Sequence, residues 1–182
     1  RLQSYFSNSE LEAKGVPSQA EMAILKPYLA RLNPIQRQGV LKAWQYPISD
    51  ASGFNRHNLL IARQQLLKAG YSFQNGRLLD RKAKPIQIEF LIHQEGLQRT
   101  LMPFIRNMKR LGIDVAIRQV DVPQYIERMR SKDFDMTTSV MPQSLNPGNE
   151  QTQFWGSASA DQPGNYNYSG IKNAVIDAVV QQ

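Results

Sequence analysis

The sequence has no cysteine and only two histidines, His57 and His93, among its 182 residues. The lack of cysteine excludes disulfides and thiolate chemistry. Two histidines without H-x-x-x-H spacing leave no recognisable zinc site, and the G-x-S-x-G, G-x-x-x-x-G-K-[ST] and G-x-G-x-x-G motifs are absent. No run approaches the ~18 consecutive apolar residues of a membrane helix. We therefore expect a protein that is not an enzyme and that needs no metal or cofactor.

The composition is that of a globular domain with an excess of basic residues. Apolar residues make up 41% of the sequence and charged residues 20%, with a formal net charge of +7. A basic excess can attract nucleic acid or anionic membranes. The basic residues are spread from Arg1 to Lys172 with acids among them, which favours a solvated surface. A basic nucleic-acid-binding domain stays as the alternative.

Both ends of the sequence indicate a piece of a longer chain. The sequence begins at Arg1 without a methionine or a signal segment. It ends directly after the periodic apolar run 171–180, which is followed by no glycine or proline stop. We expect residues 1–182 to form a single domain excised from a longer protein.

The first half of the sequence predicts helices joined by short loops. Candidate helices cover residues 2–11, 18–29, 34–44 and 55–69, with a loop at 46–54. Ser18 and Glu21 form a capping-box pattern. Asn55 is a candidate N-cap, and Gly70 suits the position after that helix. The pair Asn75-Gly76 between two short apolar runs predicts a β-hairpin, because both turn residues must accept a positive φ.

The second half of the sequence predicts a βαβαβ unit. Apolar residues alternate over 86–92 and 113–117, and a third strand is indicated at 134–140. Between these strands lie a one-sided apolar helix over 97–111 and a helix over 122–129 that Asp121 can cap. Strand–helix–strand crossovers are parallel and right-handed. The fold class is therefore α/β, with a βαβαβ sheet core flanked by helices.

A long segment after the third strand is the candidate ligand site. Residues 141–168 are rich in Pro, Gly, Asn, Gln and Ser yet contain aromatic residues, and in α/β sheets ligands bind beyond the carboxyl ends of strands. Amides and hydroxyls can pair with peptide groups, and aromatic rings offer apolar walls. The predicted ligand-binding residues are Gln143, Ser144, Asn146, Asn149, Phe154 and Trp155, with His93 and Asp50 as neighbours. For Trp155, packing beneath the loop is an equal alternative.

A hydrolase is a weaker third interpretation. Ser157 lies near Asp161 in the sequence, but no residue that could act as a general base is close to it, so ordinary loop structure is favoured. Asp133 and Asp135 flank Phe134 before the third strand, and paired carboxylates can perform acid–base chemistry. Alternation would point both carboxylates away from the core, which favours exposed charges at the sheet edge.

The order of several motifs resembles a known family. These motifs are LLKAGY (residues 66–71), LGIDV (111–115), D-x-x-x-Y (121–125) and DFDM (133–136). In this order they are similar to the family 5 solute-binding proteins of peptide and nickel ABC importers. Further segments resemble the Yej-type oligopeptide-binding subgroup, namely YFSNSEL (5–11), PQSLNPGNE (142–150) and FWGSASAD (154–161).

The resemblance implies a periplasmic protein of two lobes that close on a ligand about a hinge. The chain would be most of the second, C-terminal lobe of a type II periplasmic binding protein. Oligopeptides or peptide-like conjugates are the implied ligands and the membrane permease subunits of an ABC transporter the implied partners, with a monomer and no nucleic acid expected. Many peptide-binding relatives carry an aspartate after the third strand that pairs with the ligand's terminal ammonium. Met141-Pro142-Gln143-Ser144 has no carboxylate, so we expect a weaker demand for a free N-terminus.

Overall fold

A computed structural model of the chain describes residues 6–43, 48–49, 51–142 and 144–181. The chain forms two compact units, one of Arg1–Tyr46 with Val140–Gln182 and one of Pro47–Ser139. We call them the split unit and the central unit. The sequence predicts one domain over residues 1–182, and this stays a prediction. No helix within the described ranges is long and apolar enough to cross a membrane.

The amino-terminal part of the split unit contains two short helices. Helix α1 spans Gln19–Leu25, a 3-10 helix follows over Lys26–Arg31, and α2 spans Pro34–Val40. The predicted capping box at the start of α1 is confirmed, because the Ser18 hydroxyl accepts from the Glu21 amide at 3.2 Å and the Glu21 carboxylate accepts from the Ser18 amide at 2.7 Å. The hydrogen bonds from Ser18 lower the pKa of Glu21.

The prediction of an opening helix over residues 2–11 is wrong for residues 6–11, which are the ones that the structure describes. Residues 6–11 form turns, while Leu2 lies outside the described residues. Ser9 donates from its hydroxyl to the Phe6 carbonyl at 2.7 Å, and the Glu12 carboxylate accepts from the Asn8 amide at 2.9 Å. Such local side-chain bonds compete with a helix. Helix α2 also ends earlier than predicted, at Val40, and Trp44 lies outside the described residues.

The central unit begins with a helix and a hairpin, as predicted. Helix α3 spans Arg56–Lys68, and the Asn55 side chain accepts from the Asn58 amide at its start. Strands β1 (Ser72–Gln74) and β2 (Arg77–Leu79) pair antiparallel. The turn residues Asn75 and Gly76 have φ of 49° and 76°, which confirms the turn that the sequence predicts.

The predicted βαβαβ unit is confirmed. Its elements are β3 (Gln87–Ile92), α4 (Leu97–Arg110), β4 (Asp114–Gln119), α5 (Val122–Ser131) and β5 (Met136–Thr137). The three strands form a parallel sheet in the order β4-β3-β5, with Phe90 opposite both Ile117 and Met136. Strand β5 is shorter than the predicted 134–140, because the residues after Thr137 have no ladder partner among the described residues.

Two apolar clusters hold the central unit together. The first is built on the buried Leu78, Leu111 and Ile113. The second lies between the sheet and α4 and contains the buried Phe90, Ile92 and Leu101. Burial of each such side chain contributes about 1.5–3 kcal/mol. Gly112 joins α4 to β4 with φ of 72°, where a Cβ would come within 2.5 Å of the Leu78 nitrogen, so this position requires glycine.

The carboxyl-terminal part of the split unit corrects the prediction of a continuous loop over residues 141–168. It contains α6 (Glu150–Trp155), α7 (Ser157–Ala160) and α8 (Ala174–Val180). Helix α6 has only six residues, which is too short for hydrophobic periodicity to indicate it. The buried side chain of Phe154, at 4% exposure, explains why this stretch folds against the rest of its unit.

Candidate functional site

The carboxyl edge of the parallel sheet brings together residues from three strands. Strands β3, β4 and β5 run parallel, so their ends at Ile92, Gln119 and Thr137 lie at the same edge. His93 follows β3 and Thr138 follows β5. In open α/β sheets this edge is the usual place for a ligand. We refer to it as the carboxyl edge.

A pair of aromatic rings in tilted contact lies at the carboxyl edge. The ring centroids of His93 and Tyr125 are 4.4 Å apart with planes tilted by 45°. Both side chains are half-buried, so each ring keeps one part in contact with solvent. Tyr125 comes from the first turns of α5, which Asp121 caps by accepting from the Gln124 amide at 2.8 Å. The cap fixes where α5 begins and hence where the Tyr125 ring reaches the edge.

The Tyr125 hydroxyl ties α5 to the end of β5. It donates to the Thr138 carbonyl at 2.7 Å and lies 3.2 Å from the Thr137 hydroxyl. The Thr137 hydroxyl donates to the Leu91 carbonyl at 3.0 Å, across to β3. These bonds hold a half-buried polar cluster at the point where two strands end.

Two glutamines add further neutral hydrogen-bonding groups to the same edge. The Gln98 amide donates to the Gln119 side-chain oxygen at 2.7 Å, and both side chains are exposed. Gln119 is the last residue of β4, and Gln98 lies in the first turn of α4. Each glutamine keeps donor and acceptor capacity for a ligand, since one contact uses only part of it.

A network of ion pairs lies toward the opposite, amino edge of the sheet, where it links neighbouring elements. Arg128 donates to the Glu89 carboxylate at 2.6 Å and to the Asp133 carboxylate at 3.0 Å. The bond to Glu89 is the main cause of a raised pKa of Arg128. Asp135 accepts from the Glu89 amide at 2.8 Å. The carboxylates proposed for acid–base work in the hydrolase interpretation therefore connect β3 to α5 and β5.

A cavity of about 630 Å³ also lies toward the amino edge. It is lined by Gln87, Ile88, Glu89, Ile105, Lys109, Ile113, Asp114, Val115, Ala116 and Asp135. This lining has several charged groups and no aromatic residue, whereas ligand pockets usually combine aromatic walls with few polar anchors. The carboxyl edge is the better candidate site.

In the split unit, the predicted polar residues form turns and a helix start. The Ser144 hydroxyl accepts from the Asn146 amide at 3.1 Å and donates to the Asn146 carbonyl at 2.6 Å. Asn149 precedes α6, and its carbonyl accepts from the Thr152 hydroxyl at 2.6 Å. The side chains of Ser144, Asn146 and Asn149 are exposed. Their amides and hydroxyl remain accessible to a ligand.

The two predicted aromatic residues have different environments. Phe154 is buried and contacts Tyr166 edge-on, with 5.8 Å between ring centroids. Trp155 is half-buried, and its indole N–H donates to the Gln151 side chain at 3.2 Å. Phe154 therefore acts as a packing residue of this unit, while part of the Trp155 ring stays accessible. Both interpretations of Trp155 stay open.

The Ser157 hydroxyl has a structural role. It donates to the Asp177 carboxylate at 2.7 Å, and the Ser157 amide donates to the other oxygen at 2.7 Å. The amide bond is the main cause of a lowered pKa of Asp177. The same hydroxyl accepts from the Asn173 amide at 3.0 Å. This arrangement fixes α7 to α8.

The predicted site residues are distributed over both units. His93 lies in the central unit, and Ser144, Asn146, Asn149, Phe154 and Trp155 lie in the split unit. Asp50 and Gln143 lie outside the described residues. The ligand-binding role of all eight stays a prediction. The sequence analysis did not identify Tyr125 and Thr137 as site residues, although the D-x-x-x-Y spacing places a tyrosine one turn after a helix cap and could have indicated Tyr125.

The fold defines a class of protein. A solved structure of the oligopeptide-binding protein AppA from Bacillus subtilis in complex with a nonapeptide matches with a TM-score of 0.58 and 22% identity, over 88% of this chain and 32% of that chain. A mannohexaose-bound periplasmic oligopeptide-binding protein of Thermotoga maritima matches with a TM-score of 0.59 and 11% identity, over 91% and 29%. The predicted fold, a lobe of a type II periplasmic binding protein, is confirmed.

Sequence relatives are more specific. The "Probable peptide-binding protein YejA" of Agrobacterium fabrum is 38% identical over the whole of this chain and 29% of its own length. The "Uncharacterized protein YejA" of Escherichia coli is 31% identical over 30% of its length, and the "Peptidoglycan-binding protein YepA" of Agrobacterium fabrum is 34% identical over 29%. No family model matches the chain. The chain is thus similar along its whole length to proteins named YejA, as its motifs indicate, and it spans only about 29% of the length of the Agrobacterium fabrum relative.

Proposed function

We propose that the chain is the C-terminal lobe of a solute-binding protein that captures oligopeptides or peptide-like conjugates for an ABC importer, without catalysing a reaction. The observation that carries the proposal is the 38% identity, along the entire chain, to a protein named as a probable peptide-binding protein. None of the relatives named above is a nucleic-acid-binding protein by name, so the basic surface is best explained as solvated. The periplasm is the proposed location, and the permease subunits of the importer are the proposed partners.

The chemistry of the carboxyl edge supports a peptide ligand. Gln98, Gln119, Tyr125 and Thr137 supply neutral donors and acceptors, and the His93 ring supplies a flat wall. Neutral groups of this kind pair with peptide N–H and C=O groups whatever the ligand's sequence. The exposed amides of Asn146 and Asn149 in the split unit offer the same chemistry.

Binding by this protein should depend little on whether the peptide has a free N-terminus. The four residues 141–144, which lie shortly after β5, are Met, Pro, Gln and Ser, and none of them carries a carboxylate. A hydrogen bond to a charged group contributes roughly 1.5–3 kcal/mol, so its loss lowers the preference for an ammonium by about tenfold or more. Calorimetry with the complete protein should therefore give similar affinities for free and N-acetylated peptides. A large loss on acetylation would contradict this part of the proposal.

The test is a thermal-shift screen of the complete protein, followed by calorimetry. Peptide pools sorted by length from tripeptides to octapeptides are added separately, with peptidoglycan-derived peptides as a further pool. Mannohexaose serves as a non-peptide comparison, because a protein of this fold has been seen with that sugar bound. A ligand at 100 times its Kd stabilises the native state by about 2.7 kcal/mol, which is a clear rise in Tm. A shift that saturates with peptide supports the proposal, and no shift with any pool contradicts it.

A further inference from the structure

The hydroxyl groups of Tyr125 and Thr137 take part in three polar contacts but carry only two protons between them. Each hydroxyl carries one proton. Tyr125 uses its proton on the Thr138 carbonyl at 2.7 Å, and Thr137 uses its proton on the Leu91 carbonyl at 3.0 Å. The two hydroxyl oxygens nevertheless lie 3.2 Å apart. Two protons thus serve three contacts, in one of which either hydroxyl could donate, and each oxygen keeps lone-pair capacity for a further donor.

The lone pairs of the two oxygens are available to a donor from outside. In the part of the chain that the structure describes, neither oxygen accepts a hydrogen bond from a nitrogen, and the shared contact between them is the only other polar contact at either oxygen. Both side chains are half-buried and Thr138 is exposed, so solvent or a ligand can reach the pair. The His93 ring packs against the Tyr125 ring in a tilted contact. The geometry is therefore fixed before a ligand arrives, which lowers the ordering cost of binding.

We propose that the Tyr125–Thr137 hydroxyl pair is a specificity subsite that accepts one hydrogen bond from a backbone amide N–H of the bound peptide. The inference rests on the proposed function. Neutral oxygens do not compensate a full positive charge, so an amide suits the pair better than an ammonium does. An N–H directed between the two oxygens can donate to the lone pairs that their own contacts leave unused. Tyr125 and Thr137 thereby read one position of the ligand main chain without reading its side chains.

The probe is tetra-alanine together with its three analogues that each carry one N-methylated amide, measured by calorimetry on the complete protein. N-methylation removes one N–H donor at a time. One neutral hydrogen bond corresponds to about a threefold to tenfold change in Kd. We expect one analogue to bind the wild-type protein more weakly by at least this factor. Tyr125→Phe should bind tetra-alanine more weakly and should no longer discriminate against that analogue.

Three further variants separate the subsite from a merely structural role. Thr137→Val should also lose the discrimination, and Thr137→Ser, which keeps the hydroxyl, should retain it. Tyr71→Phe is the matched control, because Tyr71 lies in the same unit and packs beside the Leu78 cluster. It should bind all four peptides as the wild type does. If circular dichroism shows Tyr125→Phe to be unfolded, the comparison of Thr137→Val with Thr137→Ser tests the subsite instead.

The outcomes distinguish the inference from the function on which it rests. Discrimination among the analogues that is unchanged in both Tyr125→Phe and Thr137→Val overturns the subsite while leaving peptide binding intact. A wild-type protein that binds neither tetra-alanine nor any peptide pool contradicts the proposed function, and the subsite is rejected with it. Uniform weakening of all four peptides in Tyr125→Phe, with discrimination preserved, also overturns the subsite, because it reports a structural role only.

Discussion

The buried side chain of Asn167 anchors the chain that follows the predicted ligand residues. It is fully buried, at 0% exposure. Its amide donates to the carbonyls of Gly156 at 3.0 Å and Ile171 at 2.9 Å, and its oxygen accepts from the Ile171 amide at 2.9 Å. Asn167 thus joins the end of α6 to the chain that leads into α8. We predict that Asn167→Ala destabilises this part of the protein substantially.

The magnitude follows from the three hydrogen bonds. Each neutral bond contributes about 1 kcal/mol net, and a buried group left without a partner costs about 1–3 kcal/mol. Loss of all three bonds should therefore lower the free energy of unfolding by roughly 3 kcal/mol, with some recovery where water enters the space left by the amide. Asn165→Ala is the matched control. Among the described residues the Asn165 side chain makes one exposed hydrogen bond, to the Gln162 side chain, and its loss should cost less than about 0.5 kcal/mol.

The assay combines urea denaturation with hydrogen exchange at the Ile171 amide. Asn167→Ala should lower the urea midpoint and speed exchange at Ile171, because that amide loses its only acceptor in the described structure. Asn165→Ala should leave both readouts near the wild-type values. A midpoint for Asn167→Ala within the error of the Asn165→Ala value would refute the assignment of Asn167 as the anchor.

Two more predictions concern the fold. In urea denaturation, Gly112→Ala should destabilise the central unit by at least about 2 kcal/mol more than Gly76→Ala does. Both glycines have a positive φ, but only at Gly112 would a Cβ meet backbone atoms, with the Leu78 nitrogen 2.5 Å away. Equal effects of the two substitutions would argue against this close approach. The folded-state pKa of Asp177 is lowered by Ser157, so its stabilising effect is present above the ordinary value of 3.8 and is lost as pH falls through the folded-state pKa. The difference in urea midpoint between wild type and Asp177→Ala should therefore narrow below about pH 4, and a constant difference down to about pH 2 would contradict the role of the ionised carboxylate.

The sequence predicts the central unit well because its signals are local and mutually consistent. The Asn75-Gly76 turn, the Asp121 cap and the alternating apolar residues of β3 each depend on neighbouring residues, and all agree with one topology. One error falls where local side-chain hydrogen bonds compete with the helical pattern. Residues 6–11 have apolar spacing that suits a helix, yet side-chain bonds from Ser9 and Glu12 hold turns instead.

The candidate site is harder to predict than the fold. Polar loop residues such as Ser144 and Asn149 stand out by composition, whereas Phe154 proves to be buried for packing. Tyr125 and Thr137 belong to a helix and a strand, where apolar periodicity dominates the pattern. Their hydroxyls meet because α5 begins just after β4, at the edge where β5 ends, and sequence spacing does not show that Thr137 lies beside Tyr125.

We propose that peptides bind at the carboxyl edge of the parallel sheet. The most direct measurement is amide hydrogen exchange of the complete protein with and without saturating tetra-alanine. We expect slower exchange at residues 93–95, 120–122 and 138–139, with little change at the amino-edge residues 86–87, 113–114 and 134–135. Protection concentrated at the amino edge, or no protection at the carboxyl edge when the peptide is bound, would contradict peptide binding at the carboxyl edge.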